Sequence, residues 1–262
     1  MRSSIIDTIM LSEKRREIML LLSSSSKSRR EIVTSLGVSW NLLKQPVKEL
    51  KDAGMIFQED DDFRLSNNGQ LMIKVFMPLL NLVNTVSSDS NYWVNRDLQA
   101  IPRYIAKRMG ELSNSSLNTL SMDYMFEPLK QFVETTITPR YLHIVLSLFD
   151  PEAPMILSDL SKKGVQISLV FKEQIYNKMN ENFGEQLQEL LASENISFYQ
   201  LDSEINPPEL MITDKEMAVI FFNQNGKYDY RELRSSDERA VKWANDLFDY
   251  YKSISEPIIG NI

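Results

Sequence analysis

Apolar residues near the start of the chain recur every three or four positions, as they do on one face of an amphipathic helix. The spacing predicts three helices that begin near Ser12, after Ser28 and after Ser39. Gly37 and Gly54 stand where the second and third helices need a left-handed end. The segment Met55–Leu65 then folds back on itself across an acidic tip. This order of elements predicts a winged helix-turn-helix domain over residues 1–66.

Two side-chain signals refine this prediction. Ser28 and Glu31 have the spacing of a capping box, in which each side chain bonds a backbone N–H group at the start of a helix. Ser39 is the expected N-cap of the third helix. Pro46 lies inside that helix and cannot donate a hydrogen bond to the Leu42 carbonyl, so we expect a bend or local fraying there.

The pattern changes twice in the remainder of the chain. From about Gly69 to Val86 apolar residues form a wide helical stripe, which Pro78 is expected to kink. We assign residues 67–113 to connecting and dimerisation helices, the second of them at about Pro102–Leu112. Strands and helices then alternate, so residues 114–262 are expected to form a sensor-like domain with a partly parallel sheet. The predicted fold class is α+β or α/β, with an N-terminal winged helix and a C-terminal mixed domain joined by a connecting helix.

The elements of the C-terminal domain are predicted from the same patterns. The predicted strands are Ser116–Ser121, Tyr141–Leu148, Gln166–Phe171, Ile196–Gln200, Glu209–Thr213 and Met217–Phe222. The predicted helices are Tyr124–Thr135, Ala153–Lys163, Ile175–Ala192 and Ser236–Ser253. Ser235 and Glu238 are placed as a capping box for the last helix.

Charge is distributed unevenly along the chain. The net charge of −7 argues against DNA binding when it is taken alone. Residues 1–58, however, hold ten basic and six acidic side chains, whereas residues 67–262 hold eighteen basic and twenty-six acidic ones. A basic head with an acidic body fits a regulator whose body stays off DNA, and chance asymmetry is the alternative.

Composition also limits the chemistry and the location of the protein. The chain has no cysteine and one histidine, which excludes disulfides and thiolate zinc sites, and we expect no cofactor. The N-terminus lacks the apolar core of a secretory signal. The longest unbroken apolar runs, such as Val75–Leu80, are far below the ~20 residues that span a bilayer. We therefore expect a cytoplasmic protein without membrane contact.

Polar residues on the third helix and beside it form the candidate DNA-reading set. Asn and Gln pair with adenine, Lys reaches guanine or phosphate, and a helix start with nearby arginines holds phosphate. The set is Ser28, Arg29, Arg30, Ser39, Trp40, Asn41, Lys44, Gln45, Lys48 and Arg64. A solvated helix face is the alternative for each residue alone. The acidic wing tip at residues 59–62 repels phosphate, so the wing is expected to be lifted from DNA or to serve another contact.

Several segments outside the winged helix follow one another in a characteristic order. They are Trp93–Leu98, Ile101–Pro102, Tyr228–Tyr230, Leu233, Ser236–Asp237, Ala240, Trp243 and Leu247–Tyr251. With the winged helix ahead of them, they resemble archaeal winged-helix regulators abundant in methanogens, relatives of the methanogenesis-regulatory protein of filament-forming methanogens. The resemblance implies a cytoplasmic, dimeric regulator of methanogenesis or energy-metabolism genes that has a C-terminal sensor-like domain.

The sensor-like domain offers polar residues near predicted strand ends, where ligands bind in such sheets. The candidate ligand-binding residues are Arg140, Tyr141, His143, Tyr228, Tyr230 and Arg234. The alternatives are a hydrogen-bonded core histidine and, for the two C-terminal tyrosines, a hairpin packed on the last helix. Trp93 and Trp243 are expected in the core.

No motif of a known enzyme class is present in the sequence. It lacks a Walker loop, Gly-x-Gly-x-x-Gly, Gly-x-Ser-x-Gly and paired His-x-Lys motifs, so we expect no catalysis. The expected partners are double-stranded DNA, a second copy of the chain and a small-molecule effector. Two alternatives remain: a protein-interaction module that docks on transcription machinery, and a small-molecule-binding protein with a vestigial winged helix.

Overall fold

The computed structural model describes residues 7, 9, 11–121, 127–136, 138–202 and 204–258. By its internal contacts the chain divides into two compact units, Met1–Leu80 and Asn81–Ile262. The boundary between the units falls inside one long helix. The predicted three-part division, with boundaries after residues 66 and 113, stays a prediction.

The first unit is a winged helix-turn-helix, which confirms the predicted fold. Its elements are α1 (Glu13–Leu22), β1 (Lys27–Ser28), α2 (Arg29–Leu36), α3 (Trp40–Asp52), β2 (Ile56–Glu59), β3 (Asp62–Leu65) and the first part of α4 (Asn67–Ser88). The three strands pair antiparallel in the order β1-β3-β2. The sequence did not predict β1, because two residues in a serine-rich segment carry no alternation.

Apolar side chains from every helix of this unit meet in one core. Ile18, Ile32, Leu43 and Phe63 are at most 2% exposed. Each such side chain stabilises the fold by roughly 1.5–3 kcal/mol. Because Leu43, Val47 and Leu50 are all buried on one side of α3, this packing holds the helix on both sides of Pro46.

The structure corrects two local predictions about α3. The helix continues without a break through Pro46, so the local fraying is not observed, whereas the alternative of a bend there stays a prediction. Leu42, whose carbonyl lacks the proline donor, is 65% exposed, so water can satisfy that carbonyl. Ser39 occupies the N-cap position but its side chain makes no capping hydrogen bond. The capping box of Ser28 and Glu31 at the start of α2 is present as predicted, and Gly37 ends α2 with a φ of 62°.

The long helix α4 begins in close contact with the wing. Gly69 N donates to Ser66 Oγ at 3.0 Å, and Ser66 Oγ donates to the Gly54 carbonyl at 2.6 Å. A Cβ on Gly69 would lie 2.1 Å from the Met55 carbonyl oxygen, so only glycine fits. The helix is continuous through Pro78. By length and composition alone α4 is long and apolar enough to cross a membrane, a property shared by many helices of soluble proteins.

The second unit is a mixed sheet with helices on both faces. After the end of α4 its elements are α5 (Ser90–Trp93), α6 (Arg103–Ala106), a 3-10 helix (Met109–Leu112), β4 (Ser116–Thr119), α7 (Pro128–Thr135), β5 (Tyr141–Leu146), α8 (Ala153–Lys162), β6 (Gln166–Lys172), α9 (Glu173–Leu191), β7 (Ile196–Leu201), β8 (Glu209–Thr213), β9 (Met217–Ile220), β10 (Arg231–Ser235), α10 (Glu238–Ser253) and β11 (Glu256–Ile258). The strand order is β11-β7-β6-β5-β8-β9-β10-β4. The strands β5, β6 and β7 are parallel and the other pairs are antiparallel, so the predicted partly parallel sheet is confirmed.

Side chains that alternate along β5 enter two separate cores. Leu142 and Ile144 pack with α7, α8 and α9 on one face of the sheet. Val145 packs on the other face with α10, where Trp243 and Leu247 are fully buried. Trp93 and Trp243 therefore lie in the core, as expected.

Some predicted elements differ from those observed. The helix predicted at Pro102–Leu112 is two short turns, α6 and the 3-10 helix. The predicted start of a helix at Tyr124 lies outside the described residues. The capping box of Ser235 and Glu238 was wrong: Ser235 ends β10, and Asp237 caps α10 by accepting from Arg239 N at 2.8 Å. The strands β10 and β11 were not predicted.

Candidate nucleic-acid interface

The helix α3 has one buried face and one polar exposed face. Leu43, Val47 and Leu50 are buried, and this fixes the rotation of the helix. The exposed polar side chains on the remaining surface are Asn41, Lys44, Gln45 and Lys48. Among the described residues, neither lysine has an ion-pair partner. These four side chains face solvent, where the second helix of such a motif contacts a duplex.

The starts of α2 and α3 are brought together by an aromatic contact. The Arg29 guanidinium lies 4.5 Å from the centroid of the Trp40 ring, within the range of a cation–π interaction. Trp40 also packs on Phe63, with 5.7 Å between ring centroids. Trp40 is therefore partly structural, and it holds an arginine beside the first turn of α3. Arg30 is exposed on the same helix start as Arg29.

Other members of the predicted set are already engaged within the unit. The Ser28 hydroxyl donates to Glu31 Oε2 at 2.7 Å and accepts from Glu31 N at 3.3 Å. Gln45 Nε2 donates to Glu49 Oε1 at 2.8 Å, and Glu49 forms an ion pair with Arg15. Ser39 is exposed without a capping bond.

One acidic residue of the wing tip is paired with a basic residue of the wing. Arg64 forms an ion pair with Glu59 and lies over the Phe57 ring at 5.9 Å. Asp60, with a φ of 53°, turns the chain at the tip. The Asp61 carbonyl accepts from Arg29 N at 3.1 Å, so the acidic tip lies beside the start of α2. Arg64 can bind phosphate only if it leaves Glu59.

Sequence reasoning missed one exposed residue on α3. Leu42 is 65% exposed, next to the polar face. An apolar side chain at this place can contact a thymine methyl group. Its position was readable from the sequence, because Leu42 falls off the apolar repeat of Leu43, Val47 and Leu50.

Two of the predicted ligand-binding residues lie under α10. His143 Nδ1 is 3.0 Å from Asn245 Oδ1, and the His143 ring stacks on Phe248 with 4.5 Å between centroids. Asn245 Nδ2 donates to the Tyr141 hydroxyl at 3.3 Å. Burial lowers the pKa of His143, and the bond to Asn245 opposes this effect. These contacts give both side chains a packing role between sheet and helix.

The other four predicted ligand-binding residues lie elsewhere. Arg140 Nε donates to Asp214 at 2.9 Å, and Arg234 Nε donates to Glu216 at 2.7 Å, so both arginines bracket the β8–β9 turn. Tyr228 packs against the core on the α7–α9 face of the sheet, opposite to His143. Tyr230 contacts Tyr228, with 4.8 Å between ring centroids. The structure does not gather the six residues in one cavity.

The C-terminal unit matches a known domain family. Residues 125–254 match the model of the middle domain of the methanogenesis regulatory protein FilR1. The chain belongs to the FilR1-type family of archaeal regulators. The methanogenesis regulatory protein FilR1 of Methanothrix harundinacea is 21% identical over 254 residues, which are 94% of this chain and 56% of FilR1. The chain thus spans about half the length of the curated relative that it matches.

Two solved structures are similar at lower levels. TrmBL2, described as an archaeal chromatin protein with a novel mode of DNA binding, is 10% identical, with 97% of each chain covered and a TM-score of 0.45. Reduced HlyU from Vibrio cholerae is 23% identical over 30% of this chain and 87% of its own, with a TM-score of 0.26.

The FilR1 middle domain of this chain contains β5–β10 and α7–α10, whereas the winged helix lies outside the match. Among the residues that the structure describes, no group of three or more histidine, aspartate or glutamate side chains is placed to hold a metal ion.

Proposed function

We propose that the chain is a sequence-specific DNA-binding transcription regulator that places α3 in the major groove of operator DNA. The observation that carries this proposal is the polar, exposed face of α3, formed by Asn41, Lys44, Gln45 and Lys48 opposite a fully packed apolar face. Membership of the FilR1-type family supports it. By the same relationship we propose genes of methanogenesis or energy metabolism as targets, and the archaeal cytoplasm as the location.

The exposed residues divide by the contact each is suited to make. Asn41 and Gln45 carry amides that pair bidentately with adenine, and Gln45 exchanges its bond to Glu49 for one to a base. Lys44 and Lys48 reach guanine or phosphate. Arg29 and Arg30 contact phosphate and set the register without reading sequence.

We further propose that the regulator binds as a homodimer through α4. Leu71, Val75 and Leu79 are 63%, 75% and 44% exposed and stand four residues apart, so they form one apolar stripe. Val83 and Val86 continue the spacing. Lys74 is the one charged residue in the helix sequence, and none of the stripe residues is charged. A dimer of winged helices reads two half-sites.

The wing supports a second candidate function. Its tip at residues 59–62 is acidic, and Phe57 beside it is 52% exposed. This combination suits a basic protein partner, such as a component of the transcription machinery, better than it suits phosphate.

A salt-dependent titration tests DNA binding. Fluorescence anisotropy with the DNA upstream of the gene, against scrambled DNA of equal length, is expected to show preferential binding that weakens steeply with salt. The double variant Lys44→Ala/Gln45→Ala is expected to lose about 1–3 kcal/mol per base contact, and with it the preference.

The matched control is Lys163→Ala/Gln188→Ala, which removes the same two residue types from exposed positions of the second unit. It is expected to bind as the wild-type chain does. Equal, weak binding of the wild-type chain to both DNAs contradicts the operator proposal and, if basal transcription factors are retained on the immobilised chain, favours the protein-docking function.

A further inference from the structure

A cavity of about 490 Å³ lies at the carboxyl ends of the parallel strands β5 and β6. Its wall is built from the residues after β5, the end of β6, the loop before β8 and the turn after β9. Here β5 pairs with β6 on one side and β8 on the other, so the strand order reverses at this point. Sheets with helices on both faces commonly bind ligands at such a reversal. None of the six residues predicted as ligand-binding lines the cavity.

The cavity wall includes a lysine that is not in an ion pair. Lys172 Nζ donates to Asn206 Oδ1 at 2.7 Å, and both residues line the cavity. No carboxylate of the described chain is within ion-pair distance of Lys172 Nζ. Partial burial lowers the pKa of Lys172, and the charge of Asp202 opposes this. An anion in the cavity would supply the missing counter-charge.

The helix α9 presents free backbone N–H groups to the same wall, and the Glu173 carboxylate in its first turn, which opposes their potential, does not line the cavity. It begins at Glu173, directly after Lys172, and no side chain caps its first turn. Gln174 and Ile175 of that turn line the cavity. The free N–H groups at the start of a helix favour an anion there.

The opposite wall is held in place from inside the sheet. Ser147 and Leu148 line the cavity, and their N–H groups donate to Glu209 Oε2 at 2.7 and 2.9 Å. Glu209 is fully buried. The loop after β5 is therefore preformed. A preformed wall lowers the entropic cost of ligand binding.

We propose that this cavity binds a small anionic metabolite, with a carboxylate or phosphate group next to Lys172 and the start of α9. The Gln224 side chain and the Asp97 carboxylate line the rest of the cavity and suit the hydroxyl or amino groups of the ligand, whereas Phe222 and Ile175 contact its carbon skeleton. The cavity has the volume of an ordinary small-molecule site. Binding of this anion does not depend on the proposed function. Only the idea that the anion acts as the effector of a transcription regulator rests on it.

Ligand binding to the full chain, without DNA, tests the proposal independently of operator recognition. The probes are inorganic phosphate and succinate, titrated at constant ionic strength while thermal unfolding is followed. We expect a saturable rise in Tm with at least one probe. Its apparent Kd is expected to be about tenfold weaker or more in Lys172→Met and close to wild type in Lys172→Arg.

The matched control is Lys163→Met, an exposed lysine elsewhere in the second unit. A response to phosphate alone assigns a phosphorylated ligand, and a response to succinate alone assigns a carboxylate. A response to both probes supports the anion site but does not distinguish the two ligand classes. Absence of saturation with either probe, or equal binding by Lys172→Met and wild type, overturns the proposal. Because no DNA is present, a failure of operator binding leaves this result unaffected.

Discussion

Glu209 shows how one buried side chain supports both the sheet and the cavity wall. It is fully buried at the start of β8, and its Oε2 atom accepts two backbone N–H groups. Its Oε1 atom has no partner among the described residues. Burial raises the pKa of Glu209 to about 8, the two backbone donors oppose the rise, and the charge of Asp150 adds to it. The side chain is therefore largely protonated near neutral pH.

Glu209→Gln tests this protonation state. Because the folded-state pKa is raised, the stabilisation from protonated Glu209 is present below the ordinary pKa of 4.5 and is lost as the pH rises towards 8. Glutamine resembles the protonated acid and does not titrate. Urea unfolding at several pH values measures this. Between acid and alkaline pH, the free energy of unfolding of the variant should rise by about 2–4 kcal/mol relative to that of the wild-type chain.

Glu189→Gln, an exposed change on α9, is the control and should run parallel to wild type. A constant difference between Glu209→Gln and wild type across the pH range would contradict the raised pKa.

Gly69 is a second residue whose identity is fixed by its surroundings. Gly69→Ala places a methyl group 2.1 Å from the Met55 carbonyl oxygen, so the wing and the start of α4 must separate. Overpacking of this kind costs about 1–3 kcal/mol. We expect this loss in the free energy of unfolding, measured in urea.

Gly184→Ala is the control, because its new Cβ would have only one neighbour, Asn180 Oδ1 at 3.9 Å. An unchanged Gly69→Ala variant would show that the contact relaxes without cost.

At the scale of elements, the start of α10 distinguishes two capping arrangements. The sequence predicted a box of Ser235 and Glu238, but the structure has Asp237 as the cap. Its carboxylate accepts from Arg239 N and Asn114 Nδ2, and the side chain of Arg239 contributes most to lowering the pKa of Asp237. Ser235 instead accepts from Asp237 N at 3.1 Å.

Asp237→Ala is expected to destabilise the chain by about 1 kcal/mol, because an N–H group at the helix start loses its acceptor. Glu238→Ala should change the unfolding free energy by less than about 0.5 kcal/mol. Urea denaturation of both variants measures this. Equal losses of unfolding free energy in the two variants would contradict the Asp237 cap and favour the predicted capping box of Ser235 and Glu238.

The same contrast shows which elements a sequence can predict. The capping box of Ser28 and Glu31 was predictable because its signal is contained within four residues, and the face of α3 follows from the apolar repeat. The strand β10 was missed because its sequence, Arg231–Ser235, is mostly polar, and it is held by pairing with β9 and β4. Alternation placed Tyr141 and His143 on one face of β5, but could not show that α10 covers that face.

At the scale of the whole molecule, the cavity illustrates a further limit of the sequence. Lys172 and Asn206 are 34 residues apart in the chain. Their contact depends on parallel pairing of β5 with β6 and on the crossing to β8. No local pattern encodes that arrangement, so the sequence alone could not bring Lys172 and Asn206 together.

Self-association through α4 is the last prediction at this scale. Val75 is 75% exposed at the centre of the stripe with Leu71 and Leu79. An exposed apolar stripe of this kind marks an interaction surface. In Val75→Glu two carboxylates would be brought together at the proposed interface. By light scattering we expect the wild-type chain to have twice the monomer mass of 30.4 kDa, and Val75→Glu to have the monomer mass.

Met155→Glu, at a residue 56% exposed on α8, is the control and should remain a dimer. Because a monomer holds one half-site, Val75→Glu should also bind operator DNA more weakly, whereas an unchanged dimer mass would exclude α4 as the interface.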